Sequence, residues 1–240
     1  MFGLERAGKT HMLYNNLVGE GGMHTIKKLK ETLGMNYEHV IESPQNFDVW
    51  DISGNPQLRK NWSLYIKNVP VAGVIYVVNV SEEIERLRES KKWLHMIMNE
   101  QALNDCIVAV VFNSKPNLQA NQAQSGFTGK DSTMKKDQTL KSGYESQNMA
   151  TAAMQKPVKK KDQWVESPFN QEQLEKIFAL NKLKKTMIKQ SFLIDVGEQK
   201  ACEKVFQWVS ARLDSKIKQK AKRERQQAAA AQSENTDASK

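Results

Sequence analysis

Gly3-Leu4-Glu5-Arg6-Ala7-Gly8-Lys9-Thr10 has the spacing G-x-x-x-x-G-K-[ST], and those residue types in that order are suited to holding phosphate. The glycines let successive backbone N–H groups close around phosphate oxygens. Lys9 would place a compact positive charge on the β- and γ-phosphates, and the Thr10 hydroxyl would bind Mg²⁺. A second stretch could complete the chemistry. Trp50-Asp51-Ile52-Ser53-Gly54-Asn55 follows a strand-like run, which places Asp51 to hold a water on Mg²⁺ and the Gly54 N–H to sense a γ-phosphate. A phosphate cradle of this kind needs a strand before it and a helix after it. Lys9 to Val18 reads as the helix, whereas only Met1 and Phe2 stand where the strand is needed.

The elements that must position these residues can be read from apolar spacing. Strand-like runs enriched in β-branched residues occur at Tyr37 to Ile41, Phe47 to Trp50, Ala72 to Val78, Ile107 to Phe112 and Phe192 to Ile194. AGVIYVV and IVAVVF are nearly continuous rather than alternating, the pattern of strands covered on both faces in a parallel sheet. Helical patterns fall between them: Lys9 to Val18; Ser81 to Asn99, opening with the cap-like SEEIE; Gln171 to Leu180; and Lys200 to Leu213. Strand–helix alternation predicts an α/β fold with a doubly wound, mostly parallel sheet, its first strand truncated.

Two segments break the rhythm. Residues 119–168 are polar and rich in Gln, Ser and Lys, with too little apolar surface to offset the entropy of ordering, and are expected to be a disordered insertion within a domain spanning 1–214. Residues 215–240 continue the last helix as a basic, then alanine-rich tail expected to fray.

The formal net charge is +9 over 240 residues. The cations gather in a few places, with neither an aromatic platform nor a reader motif, so nucleic acid is not an expected partner. The clusters at Lys156 to Lys161 and Lys216 to Arg225 leave open a solvating role, an acidic partner or an anionic membrane contact. Cys106 and Cys202 sit in apolar surroundings and are expected to be buried free thiols in a reducing compartment. His11, His24, His39 and His95 lack metal-ligand spacing. No stretch is long and apolar enough to span a bilayer, no signal peptide precedes Gly3, and Phe2 excludes N-myristoylation of the chain as written.

Taken together, these motifs resemble the ADP-ribosylation-factor-like (Arf/Arl) small GTPases. Family GLDxAGKT is GLERAGKT here; PTIGFN is ETLGMN from Glu31; WDVGGQxxxRxxWxxY is WDISGNPQLRKNWSLY from Trp50; GxIFVVD is GVIYVVN from Gly73; and the closing DWL is Gln207-Trp208-Val209. The resemblance covers most of Gly3 to Leu213 outside the insertion. It implies the P-loop NTPase fold and a switch that binds GTP, GDP and Mg²⁺. Gly3 to Thr10 would wrap the phosphates, Thr10 and Thr32 would ligate the cation, and Gly54 would read the γ-phosphate. It also implies effector or scaffold proteins engaging the switch regions, in the cytoplasm or peripheral to a membrane or assembly.

Four departures bear on activity. Asn55 replaces the glutamine that orients the attacking water and is one methylene short, so GTP hydrolysis is expected to be slow. The base-reading NKxD motif aligns with Ser114-Lys115-Pro116-Asn117. Lys115 keeps its place over the base, Asn117 cannot accept both guanine N–H donors, and Ser114 loses the amide that braces the loop; a shifted register using Asn113 would break the strand. The second base loop aligns with Asp195-Val196-Gly197, where Val196 puts bulk at a position that is normally small. Finally, the family's first strand is central in its sheet, and its loss would leave neighbouring backbone unpaired, so the natural start is expected upstream of Met1. Two readings follow: a slow GTP/GDP switch, or a pseudo-GTPase retained as a docking module.

Overall fold

In the computed structural model, residues 1–18, 32–114 and 169–237 are described. Among these residues five strands and five α-helices follow in the order α1 (Lys9–Val18), β1 (Met35–Val40), β2 (Phe47–Ile52), α2 (Trp62–Asn68), β3 (Gly73–Asn79), α3 (Ile84–Met98), β4 (Ile107–Asn113), α4 (Gln171–Phe178), β5 (Ile188–Ile194) and α5 (Gln199–Asp237). The expected insertion at 119–168 lies outside the described residues.

β3, β4 and β5 form a parallel sheet in that order, with Gly73 opposite Ile107 and Ile107 opposite Ile188. All seven residues of β4 are buried, as its unbroken apolar run requires. Alternation of side chains across the sheet separates two cores. Val74, Tyr76, Val78, Val108, Val110 and Phe112 face one way, against residues of α2, α3 and α4 that include Trp62, Leu94 and Phe178. Ile75, Val77, Ile107, Ala109 and Val111 face the other, against Met12 and Leu13 of α1 and Val205, Phe206 and Val209 of α5.

β1 and β2 form an antiparallel hairpin, Met35 opposite Ile52 and Val40 opposite Phe47. Met1 and Phe2 lie between this hairpin and β3. The Phe2 N–H donates to Ile75 O and the Val77 N–H to Phe2 O, both at 2.9 Å, while the Ile52 N–H donates to Met1 O at 3.1 Å. Two residues therefore occupy the place of the strand that feeds the glycine loop and satisfy backbone on both sides over its length. The Met1 ammonium donates to Trp50 O, and burial pushes its pKa down to about 5.

Local chemistry accounts for several boundaries. Asn170 and Gln173 form a reciprocal capping box that starts α4. β5 begins earlier than its apolar residues indicate, because Ile188 to Ser191 pair in register with Ile107 to Val110. Where the tail after Ser215 is expected to fray, α5 continues to Asp237. Alanine-rich composition and the i,i+4 pairs Lys218–Asp214 and Lys220–Glu224 favour that continuation.

Candidate functional site

The loop Gly3 to Thr10 turns from Phe2 into α1 on backbone that glycine makes accessible. Gly3 has φ +143°, and a Cβ there would stand 2.2 Å from Val77 O; Gly8 has φ +97°. Arg6, with φ 59°, adopts the left-handed region that is uncommon outside glycine. Leu4 and Ala7 are buried beneath the loop. Lys9 is 6 % exposed, and its ammonium donates to Gly3 O and Leu4 O, each at 3.0 Å, so it spans the loop it would neutralise. Burial pushes its pKa down to about 8, against the opposing pull of Asp51 and Glu5.

Three predicted cation ligands converge beside Lys9. Thr10 Oγ1 lies 2.5 Å from Asp51 Oδ2 and 3.0 Å from Thr32 Oγ1, bringing together residues from α1, β2 and the segment entering β1. Asp51 is fully buried, and its Oδ1 has no hydrogen-bond partner. A buried carboxylate oxygen without a partner calls for a cation or water. Two hydroxyls and a carboxylate are hard oxygen donors of the kind Mg²⁺ prefers, so the residues present fit that ion. No group of three His, Cys, Asp or Glu with metal-binding proximity exists among the described residues.

Gly54 sits against the glycine loop itself. A Cβ on Gly54 would fall 2.3 Å from Glu5 N and 2.5 Å from Gly3 O, so no larger residue fits. Its carbonyl accepts from the Glu5 N–H at 3.1 Å and from Arg59 Nε at 2.8 Å. Asn55 turns away from this contact: its Oδ1 accepts from the Gln57 N–H at 2.9 Å, closing an Asx turn. Trp62 is fully buried and donates from Nε1 to Ser53 O at 3.0 Å, supporting the same loop from the α2 side.

On the side where a base would lie, the structure corrects one expectation. Asn113, not Ser114, supplies the bracing amide: Nδ2 donates to Ala7 O at 2.9 Å and Oδ1 accepts from the Val196 N–H at 3.2 Å. The strand does not break, since Asn113 remains in register with Asn79 and Ile194. The reason is the period of two. Asn113 shares a face with Ile107, Ala109 and Val111, the face packed on α1 and α5, whereas Ser114 follows the end of the strand, where its N–H bonds Ile194 O. Val196 is 2 % exposed and packs in that second core, 3.0 Å from where a Gly8 Cβ would be. Its carbonyl accepts from Asn15 Nδ2 at 2.9 Å. Lys115 and Asn117 lie outside the described residues.

Sequence reasoning weighed Asn113 and set it aside, and it missed Asn15 and the role of Arg59. Asn15 had no signal beyond its place on a helix. Arg59 was visible only as one letter of a longer pattern.

A model of the ADP-ribosylation factor family matches residues 1–167 of the chain. Among solved structures, the Arl6 (BBS3) small GTPase from Trypanosoma brucei with bound nucleotide analogue GppNp is similar in fold. Its TM-score is 0.59 at 15 % identity, over 90 % of this chain and 95 % of that one. The glycine loop, the candidate cation ligands and strands β1 to β4 lie within residues 1–167, and the chain belongs to the ADP-ribosylation factor family.

Proposed function

We propose that the protein is a small GTP-binding switch that holds GTP or GDP with Mg²⁺ and hydrolyses GTP slowly. The observation that carries this reading is the convergence of Thr10, Thr32 and the unpartnered Oδ1 of Asp51 beside Lys9 in a glycine cradle. When bound, Mg²⁺ would neutralise developing phosphate charge. Thr10 and Thr32 would hold it directly and Asp51 through a water. Backbone N–H groups from Gly3 to Thr10 and the Lys9 ammonium would orient the phosphates, and the Gly54 N–H would meet the γ-phosphate. The Asn55 amide is too short and too engaged in its own turn to position water well. In this reading Lys115 and Asn117 supply degraded base contacts beside Ser114, the brace comes from Asn113, and Val196 is buried bulk at a normally small position, so preference for guanine is expected to be modest.

Effector or scaffold proteins would bind the apolar face beside the cation site. Leu33 is 92 % exposed and Tyr37 51 %, with Met35 on the same strand face and Trp50 packed edge-to-face on Tyr37. The domain is taken to span 1–214, with 119–168 as an insertion and 215–240 as a basic tail available to acidic partners or anionic membrane. Free buried thiols at Cys106 and Cys202, with pKa pushed up by burial to about 11 and about 12, suit a reducing, cytosolic setting. No described helix is long and apolar enough to cross a membrane.

A second reading, a pseudo-GTPase docking module, is favoured by one observation: the Asn55 side chain is committed to its own Asx turn with Gln57. Titrating purified protein with labelled GTP, GDP, ATP and XTP, with and without EDTA, separates the two. Sub-micromolar, Mg²⁺-dependent GTP binding supports the switch. Absence of binding to all four leaves the docking module.

A further inference from the structure

Arg59 is 2 % exposed, and every hydrogen-bonding edge of its guanidinium finds a partner from a different part of the fold. Nε donates to Gly54 O at 2.8 Å, Nη2 to Glu5 at 2.9 Å and Nη1 to Glu89 at 2.5 Å, and the group lies 5.7 Å from the centre of the Trp93 ring. Glu5 belongs to the glycine loop, Gly54 to the loop after β2, and Glu89 and Trp93 to α3. Arg86, also on α3, closes the circuit by pairing with Glu5 and, at 2.7 Å, with Glu89. A buried guanidinium is tolerable only when its charge and donors are satisfied, so this set stands or falls together. Burial opposes the charge of both acids, yet their hydrogen bonds and arginine partners outweigh it and hold each carboxyl below its usual range.

The circuit constrains Gly54. To move away from the glycine loop, Gly54 must break its carbonyl bond to Arg59 or pull the guanidinium off two carboxylates. Arg59 itself cannot be reached from solvent. Arg86 and Glu89 can, with side chains 26 % and 39 % exposed.

We propose that Arg59 is a positioning residue for nucleotide discrimination, holding Gly54 against the glycine loop, and that Arg86 and Glu89 on α3 set the strength of that hold. The inference rests on the reading of Gly54 as the sensor of the γ-phosphate. It places part of the control of triphosphate over diphosphate preference at the Arg86–Glu89 edge of α3, away from the nucleotide.

The test uses the full chain and titrates fluorescent GDP and a non-hydrolysable fluorescent GTP analogue against wild type, Glu89→Gln, Arg86→Gln and Arg59→Lys, with a thermal unfolding curve for each. Losing one charge-assisted bond of the circuit should lower the triphosphate-to-diphosphate affinity ratio by about tenfold in Glu89→Gln, with GDP affinity kept within about twofold, and Glu89→Asp should recover most of the ratio. Arg86→Gln should act in the same direction. If Arg59→Lys does not fold, the two α3 variants carry the test. A ratio equal to wild type in both α3 variants, or a parallel loss of both nucleotides that tracks the unfolding midpoint, overturns the inference alone. A wild type that binds neither nucleotide overturns the reading beneath it as well.

Discussion

Replacing Asn113 by alanine should cost the fold about 2–4 kcal/mol. The amide is 1 % exposed and satisfies two buried backbone groups, the carbonyl of Ala7 and the N–H of Val196. Alanine leaves both without a partner, and each orphaned buried group costs about 1–3 kcal/mol. Part of the sum is recovered where the loops relax or admit water. A single domain has about 5–15 kcal/mol in hand, so the variant should fold but unfold early. Urea denaturation followed by tryptophan fluorescence reads this directly. With an m-value of about 2 kcal/mol/M, the midpoint should fall by about 1–2 M. Lys60→Ala, an exposed surface change, is the control; its midpoint should fall by no more than about 0.5 M. Asn113→Asp keeps the acceptor for Val196 but sets a carboxylate against the Ala7 carbonyl, and should be at least as damaging as alanine. A loss for Asn113→Ala no larger than that of the surface control would refute the assignment of the brace.

Further outcomes follow from the same geometry. Lys9 carries a folded pKa of about 8, below its unfolded value, so the unfolded chain binds more protons between the two; unliganded stability should rise with pH above about 8, while affinity for nucleotide phosphate falls by up to about tenfold per pH unit, and Lys9→Met should abolish both slopes in urea and nucleotide titrations. Gly54→Ala drives a methyl to within 2.3 Å of Glu5 backbone, and should either prevent folding or displace the loop enough to eliminate triphosphate binding, measured by calorimetry. Asp51→Asn removes the charge that the buried, unpartnered Oδ1 offers a cation, so any nucleotide binding that remains should become insensitive to EDTA. Asn55→Gln restores the missing methylene, and single-turnover GTP hydrolysis should speed up by at least about tenfold; an unchanged rate would show that the amide's reach does not limit turnover.

Much of the architecture was legible in the sequence because it depends on local pattern. The unbroken apolar runs of β3 and β4 announce strands covered on both faces, and both pair in parallel inside the core. α1 begins where its spacing places it, at Lys9. The start of α4 is encoded in Asn170 and Gln173, two residues that satisfy each other's backbone. β5 was only half visible, since an edge strand alternates its polarity and Ile188 to Ser191 do not resemble a buried run.

Within the candidate site the same division holds. The residue types of the cradle, and the pairing of Lys9 with a cation-binding hydroxyl and carboxylate, are properties of short motifs, and Thr10, Thr32 and Asp51 do meet. The sequence by itself determined which chemistry the chain can offer, because glycine freedom, charge and hard oxygen donors belong to the residues. Only the tertiary structure decided which neighbours serve that chemistry. Whether Asn113 or Ser114 reaches the glycine loop depends on which face of β4 meets α1 and α5. Whether Met1 and Phe2 suffice to join β2 to β3 depends on backbone groups lying at hydrogen-bonding distance on both sides. That Arg59 is buried among Glu5, Glu89 and Gly54 follows from three segments distant in sequence converging on one point. Such contacts are set by how layers pack, and linear spacing carries no record of them.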